Sequence, residues 1–363
     1  FIENVSKRVM EVKMAAPVVV DENYGSTPLP VTILTGFLGS GKTTLINYLL
    51  EHNHGERIAI IENEFGSVGV DGDLIKRASN VEVIELSNGC VCCSIRGELT
   101  ESLQGLLQRV DSGDLKVDRL ILETTGLADP APIIQAFFVD ELIRERIMLD
   151  AVITLVDAIH IIKQLDEHRV CASQIGFADR ILLTKTDAID ALRKEFILSR
   201  LNTINAKADI FEALNGALPK EVWIGINAFD LSDSLKLNQG FFQADASKLS
   251  ALTFTSFSQK APKQSWNDDI TSYVFEAGEL DLKAIGSFME SLVEIHGNDM
   301  LRYKGVLAIE NEERRLIVQG VHKVVGFDYG SEFTDERKSL LVVIGRTIPY
   351  DTLKEAFLKT QAH

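Results

Sequence analysis

No stretch of this 363-residue chain approaches the ~20 consecutive apolar residues that a membrane-spanning helix requires. Basic residues are scarce as well. Lys and Arg total 37 against 53 Asp and Glu, a formal net charge of −16. A surface that grips a nucleic-acid backbone needs clustered Lys and Arg, so neither nucleic acid nor membrane is an expected partner. A single nucleotide is not excluded, because one loop can neutralise its phosphates locally. Cysteine is sparse too: four residues, three of them at positions 90, 92 and 93. That is no disulfide scaffold. Bunched thiols point instead to a reducing compartment and to metal or redox chemistry.

What remains is an ordinary globular composition, 45% hydrophobic and 25% charged, in a chain long enough for two domains. Its most informative stretch is Gly36-Phe37-Leu38-Gly39-Ser40-Gly41-Lys42-Thr43, which fits the phosphate-binding pattern G-x-x-x-x-G-K-[ST]. The apolar run Val31–Leu34 before it reads as a strand, and Thr44–Leu50 after it has helical spacing. Glycines let backbone N–H groups wrap a phosphate, and the helix N-terminus adds positive potential. Gly36, Gly39, Ser40, Gly41, Lys42, Thr43 and Thr44 are therefore the expected phosphate-binding set. Within it, Lys42 reaches the β/γ-phosphates and the Thr43 hydroxyl ligates Mg²⁺.

Further strands end on chemistry-bearing residues. Arg57–Ile61 runs into Glu62-Asn63-Glu64-Phe65-Gly66, either a crevice-lining loop or a solvated acidic turn. Val81–Leu86 leads to Cys90-Val91-Cys92-Cys93 and then to a helix over about 98–110. Thiolates bind zinc, cobalt or nickel, and three sulfurs leave one tetrahedral position for a carboxylate, water or partner. Buried structural cysteines and a redox pair are the competing readings, although a bond between adjacent Cys92 and Cys93 would be strained. Asp118–Leu122 precedes Glu123-Thr124-Thr125-Gly126. There Glu123 is placed to hold Mg²⁺ directly or through water, and the Gly126 N–H to meet a γ-phosphate. Asp129 is a candidate cap for the next helix, and Val152–Asp157 is a fifth strand.

A sixth strand, Arg180–Leu183, ends at Thr184-Lys185-Thr186-Asp187, close to the guanine-reading N-K-x-D pattern with Thr in the Asn position. Asp187 could accept from both N1–H and N2–H₂ of guanine, a donor pair adenine lacks, while the Lys185 stem lies along the ring. GTP is thus the expected nucleotide. Cys171 and the histidines at 52, 54, 160, 168 and 322 show no ligand spacing and read as structural or surface residues.

The expected fold class is α/β: a P-loop NTPase domain with a mostly parallel sheet, followed by a small α+β domain. Residues 1–29 read as a flexible tail, 30–230 as the nucleotide domain, 231–249 as a linker and 250–363 as the second domain. The chain does not open on Met, and Met14-Ala15-Ala16-Pro17 reads as a true start. A cytoplasmic location is expected, or an organellar one if residues 1–13 are a targeting remnant. In the second domain, strands are expected at Tyr273–Phe275, Leu301–Ile309, Leu316–Val321 and Leu340–Ile344. Helices are expected near 282–295 and 352–358, with an antiparallel sheet.

Taken together, Gly-Phe-Leu-Gly-Ser-Gly-Lys-Thr-Thr, Glu-Asn-Glu-Phe-Gly, Asn-Gly-Cys-Val-Cys-Cys, Glu-Thr-Thr-Gly-Leu-Ala-Asp-Pro and Thr-Lys-Thr-Asp resemble the CobW-type GTPases in their YjiA-like branch. There is some likeness to the zinc-regulated GTPase metalloprotein activators. Leu301–Gly305 and Val318–His322 carry the likeness into the second domain. The resemblance implies a slow GTPase, using GTP and Mg²⁺, that binds Zn²⁺ or a similar ion and transfers it to client metalloproteins. It implies Cys90, Cys92, Cys93 and Glu62 as metal ligands, and Lys42, Thr43 and Glu123 as catalytic residues. A nucleotide- or metal-dependent homodimer is compatible with it. The histidine-rich loop of many members is absent, as is the activators' Cys-Pro-x-Leu-Val-Pro docking motif. Two other classes stay open: a nucleotide-switched binding module with redox or structural cysteines, and a P-loop small-molecule kinase. The kinase would need an acceptor lid and base that the sequence does not display.

Overall fold

The apolar run before the glycine loop forms an eight-residue strand, β1 (Leu29–Gly36), whose last six residues are buried. The chain turns through the loop into helix α1 (Lys42–Glu51). The computed structural model describes residues 28–52, 55–62, 81–85, 95–214, 216–229, 270–334 and 336–362. Beyond α1 come β2 (Ile58–Glu62), β3 (Val81–Glu85), α2 (Ile95–Asp111) and β4 (Arg119–Glu123). Helices α3 (Ala131–Val139) and α4 (Glu141–Arg146) then lead to the long strand β5 (Ile147–Asp157). Helices α5 (Ile161–Glu167) and α6 (Arg169–Phe177), strand β6 (Arg180–Thr184), helix α7 (Ala191–Ile204) and strand β7 (Asp209–Ala213) complete this half.

The seven strands form one parallel sheet in the order β3-β2-β4-β1-β5-β6-β7. All carboxyl ends therefore open on one edge, where an α/β sheet places its ligand crevice. The strands pack between two apolar layers. Leu45, Ile46 and Leu49 of α1 join Trp223 on one face. Leu99, Leu103, Ile133, Phe137, Ile175 and Phe177 fill the other. Short aspartates start several helices: Asp140 accepts from Ile143 N, Asp190 from Arg193 N and Asp281 from Ala284 N. Asp129 serves as expected in kind but one residue early. It accepts from Ala131 N, and Pro130 holds the capping position itself.

The second half contains β8 (Ile270–Ala277), α8 (Leu282–His296), β9 (Met300–Leu307), β10 (Arg314–Val321), β11 (Val324–Glu332), β12 (Ser339–Arg346) and α9 (Tyr350–Leu358). Its sheet is antiparallel in the order β11-β10-β9-β12-β8. The core holds Phe275, Phe288, Met289, Tyr303 and Phe357. Ile270, Leu301, Val321 and Ile344 belong instead to the core of the nucleotide half. The two halves are therefore joined by a shared apolar interface.

The strands bearing Glu62 and preceding the cysteines lie near the P-loop strand but not directly beside it. The chain leaves β3 through α2 and inserts β4 between β2 and β1. Thus β2 lies two places from β1, and β3 closes the sheet edge.

Candidate nucleotide and metal site

The phosphate loop is shaped by glycines in conformations that other residues rarely adopt. At Gly36 the backbone has φ 144°, and a Cβ would sit 2.4 Å from Leu155 O. Gly39 and Gly41 are left-handed, with φ of 73° and 101°. Gly41 starts α1 without a side-chain cap, so the first-turn N–H groups remain donors for an anion. The Lys42 ammonium is buried on the loop and donates to Gly36 O at 2.7 Å and Phe37 O at 3.3 Å. Thr43 and Thr44 are exposed at the helix start. Ser40 Oγ is buried with no hydrogen-bond partner among the described residues. A buried orphan hydroxyl asks for a partner, and a phosphate supplies one. The loop thus fits a nucleotide's phosphates.

Two neighbouring strand ends close on this loop. From β4, Thr124 N donates to Leu34 O and Thr124 Oγ1 to Thr35 Oγ1, both within 2.9 Å, fixing buried Glu123 at the crevice. At Gly126 a Cβ would lie 2.7 Å from Leu38 N. The 123–126 loop and the phosphate loop therefore meet backbone to backbone. Gln174, on α6, holds the loop from behind: its Nε2 donates to Gly126 O at 3.2 Å and Ala128 O at 3.1 Å. Nothing in the sequence marked Gln174, because its partners are backbone carbonyls.

From β6, Thr184 Oγ1 donates to Ser40 O at 2.8 Å, so the threonine in the asparagine position ties this strand to the phosphate loop. Lys185 is left-handed, with φ 56°. Its ammonium donates to Gly39 O at 2.9 Å and Asp157 Oδ2 at 2.7 Å. Asp157 is 2% exposed and also accepts from Ile159 N, with His160 Nδ1 2.8 Å from Oδ2. Burial pushes its carboxyl upward, but Lys185, His160 and Ile159 N together hold it below the usual range. In the sequence Asp157 reads only as the end of a strand; the structure places it in register with Thr184 across β5 and β6. Asp187 is exposed in the 3₁₀ turn Thr186–Ala188 and has no hydrogen bond or ion pair with the described residues.

On the other side of β4, Glu62 ends β2 in register with Glu123 of β4 and Glu85 of β3. Cys90, Cys92 and Cys93 lie outside the described residues, between Glu85 of β3 and Ile95 of α2 in the chain. Among the described residues no group of three or more His, Cys, Asp or Glu is placed to hold a metal. Cys171 is buried, and burial pushes its thiol up to about 12. His160 and His168 both border the nucleotide loops: His160 lies against Asp157, the partner of Lys185, and His168 stacks on Phe37 at 4.7 Å. Among the described residues no helix is long and apolar enough to cross a membrane.

A model of the CobW/HypB/UreG nucleotide-binding domain matches residues 30–212, and one of the cobalamin synthesis protein CobW C-terminal domain matches 270–361. The chain is 40% identical over 333 residues to the zinc chaperone YjiA of Escherichia coli (strain K12), covering 91% of this chain and 98% of that one. It is 34% identical over 353 residues to the zinc chaperone CobW of Pseudomonas aeruginosa, covering 88% of each. The crystal structure of Zn(II)-bound YjiA GTPase from E. coli matches with a TM-score of 0.72 at 36% identity, over 93% of this chain and 100% of that one.

Proposed function

The chain belongs to the CobW/HypB/UreG family of nucleotide-binding proteins, and from that membership we propose a metallochaperone that spends GTP to transfer zinc to client metalloproteins. It is a GTPase acting on GTP with Mg²⁺, and zinc is its metal. Client transfer and the residues assigned below are our reading. The observation that carries it is the convergence of two strand ends on one phosphate loop: from β4, Gly126 against Leu38, and from β6, Thr184 on Ser40 O and Lys185 on Gly39 O.

In this reading Asp187 accepts the two guanine donors, and Lys185, clamped by Asp157, lies under the base. The loop N–H groups and Lys42 stabilise the β/γ-phosphates as charge redistributes in the transition state. Thr43 and Glu123 hold Mg²⁺. Zinc, the cargo, is held by Cys90, Cys92, Cys93 and Glu62. Glu62 is one strand from Glu123, which supports a path by which γ-phosphate and Mg²⁺ alter the zinc site.

Zinc content of protein purified without chelator tests the assignment. Replacing Cys92→Ser with Cys93→Ser should remove about one zinc per chain, since a tetrahedral site does not survive the loss of two sulfurs. An unchanged zinc content would leave the cysteines to a redox or structural role.

A further inference from the structure

Helix α6 (Arg169–Phe177) touches both nucleotide loops and the second domain. His168, its N-cap, stacks on Phe37 of the phosphate loop with rings 27° from parallel. Gln174, 1% exposed, uses its carboxamide N–H groups on Gly126 O and Ala128 O, while its backbone carbonyl accepts from Thr154 Oγ1 at 2.8 Å. The adjacent Ser173 Oγ lies 2.6 Å from Arg346 Nη2, at the end of β12. At Gly176 a Cβ would come within 2.8 Å of Leu301 on β9 and 3.4 Å of Ile344 on β12. Phe177 O accepts from Arg302 Nη1 at 2.8 Å. Asn205 locks the exit of the helix by donating to Ile175 O and Ala178 O.

We propose that α6 is the element coupling the γ-phosphate loop to the second domain, with Gln174 the residue that positions Gly126 and Arg346 the anchor on the far side. This rests on the reading that the Gly126 N–H meets the γ-phosphate. The physical reason is the absence of slack. From Cys171 to Phe177 every residue is buried, and close-packed elements move as bodies rather than deform. A shift of the Gly126 carbonyl therefore reaches Gln174, and the missing side chain at Gly176 puts the helix backbone directly on β9 and β12. By linkage the effect is reciprocal: loosening Arg346 must change how the first domain distinguishes GTP from GDP.

The test is the affinity ratio of a non-hydrolysable GTP analogue to GDP, measured on the full chain. Gln174→Met keeps the volume and removes both donors. It should lower the ratio about tenfold, within the usual range of site-to-site coupling, with GDP affinity changed less than about twofold. Arg346→Ala, far from the nucleotide, should lower the ratio in the same direction by a smaller factor. The double variant should match Gln174→Met alone, because both act through one helix. Equal weakening of both nucleotides in folded Gln174→Met would make the residue merely structural and overturn the proposal. An unchanged ratio in Arg346→Ala would overturn the link to the second domain. If Gln174→Met does not fold, amide exchange on the natural chain decides: exchanging analogue for GDP should alter protection in β9 and β12, and unaltered protection there would overturn the link. Failure of the underlying reading shows separately, as GTP binding undiminished in Lys42→Ala.

Discussion

Glu62 and Glu123 are register partners on neighbouring parallel strands, β2 and β4, at the edge of the sheet where the phosphate loop opens. Adjacent strands lie about 4.8 Å apart, so the backbone carrying Glu123, the proposed Mg²⁺ carboxylate, is one hydrogen-bonded step from the backbone carrying Glu62, the proposed zinc carboxylate. Glu85 of β3 continues the same row. In the proposed reading, a displacement that γ-phosphate and Mg²⁺ impose on β4 reaches β2 directly, because the two strands are paired.

Nucleotide choice is assigned to Asp187. Asp187→Ala should weaken GTP by about a hundredfold, on the order of 3 kcal/mol for a lost charge-assisted pair of hydrogen bonds, and should hardly affect residual ATP binding. A competition assay measures it. Equal losses for both nucleotides would remove Thr184–Asp187 as the base reader.

Asp157 acts one step behind, by holding Lys185. Asp157→Asn should weaken GTP and GDP alike, since it disturbs the base side and not the γ-phosphate. Its carboxyl is held below the usual range, so its contribution is present above the ordinary carboxylate pKa and is lost only as pH falls through the lowered folded value. Nucleotide affinity should therefore show no Asp157 titration between about pH 5 and 8. An acid limb in that window that vanishes in Asp157→Asn would contradict the ion pair.

In the proposed reading, turnover depends on Lys42 and Glu123. Lys42→Ala removes the charge facing the β/γ-phosphates and should abolish hydrolysis measured by phosphate release. Glu123→Ala should raise the Mg²⁺ concentration needed for half-maximal rate. The natural chain without zinc should turn over slowly, because no arginine finger is assigned in cis. A fast rate in the metal-free protein would contradict this.

Thiol labelling separates the four cysteines. Burial raises Cys171 to about 12 from an ordinary 9.0, so its neutral, buried form contributes stability fully below pH 9.0. That contribution is lost as pH rises towards about 12. An alkylating reagent at about pH 8 should modify Cys90, Cys92 and Cys93 in the zinc-free chain, spare them when zinc is bound, and reach Cys171 only after unfolding. Mass spectrometry of the peptides reads the result. Native-state labelling of Cys171 would contradict its burial.

Most of the fold was legible because its signals are local. The β1–loop–α1 unit, the apolar strands β4, β5 and β6, and the antiparallel strands of the second domain all appear as runs or periods in the sequence. Two strands were not. β7 carries Asp209 and Glu212 in five residues, and β11 interrupts its pattern with Gly326 and Gly330. Each sits at a sheet edge, paired on one side only, so ladder bonds rather than apolar burial hold it. The phosphate loop and the Thr184–Asp187 turn were legible for the same local reason. Asp157 and Gln174 were not, because their roles arise from contacts 28 and 48 residues away. Strand order was equally hidden, since the crossover that inserts β4 beside β1 leaves no mark in either strand.

The central claim is that one protein binds zinc and nucleotide in mutual dependence, and linkage makes it measurable. Zinc affinity should be determined with a competing chromophore, once with GDP and once with a non-hydrolysable GTP analogue, both with Mg²⁺. The account predicts two affinities differing by about 5- to 150-fold, with the same factor appearing when GTP is titrated with and without zinc. Glu62→Ala and Cys92→Ser should each flatten the difference, whereas Cys171→Ser should preserve it. One zinc affinity in both nucleotide states would contradict the account, because nucleotide could then not drive the handover.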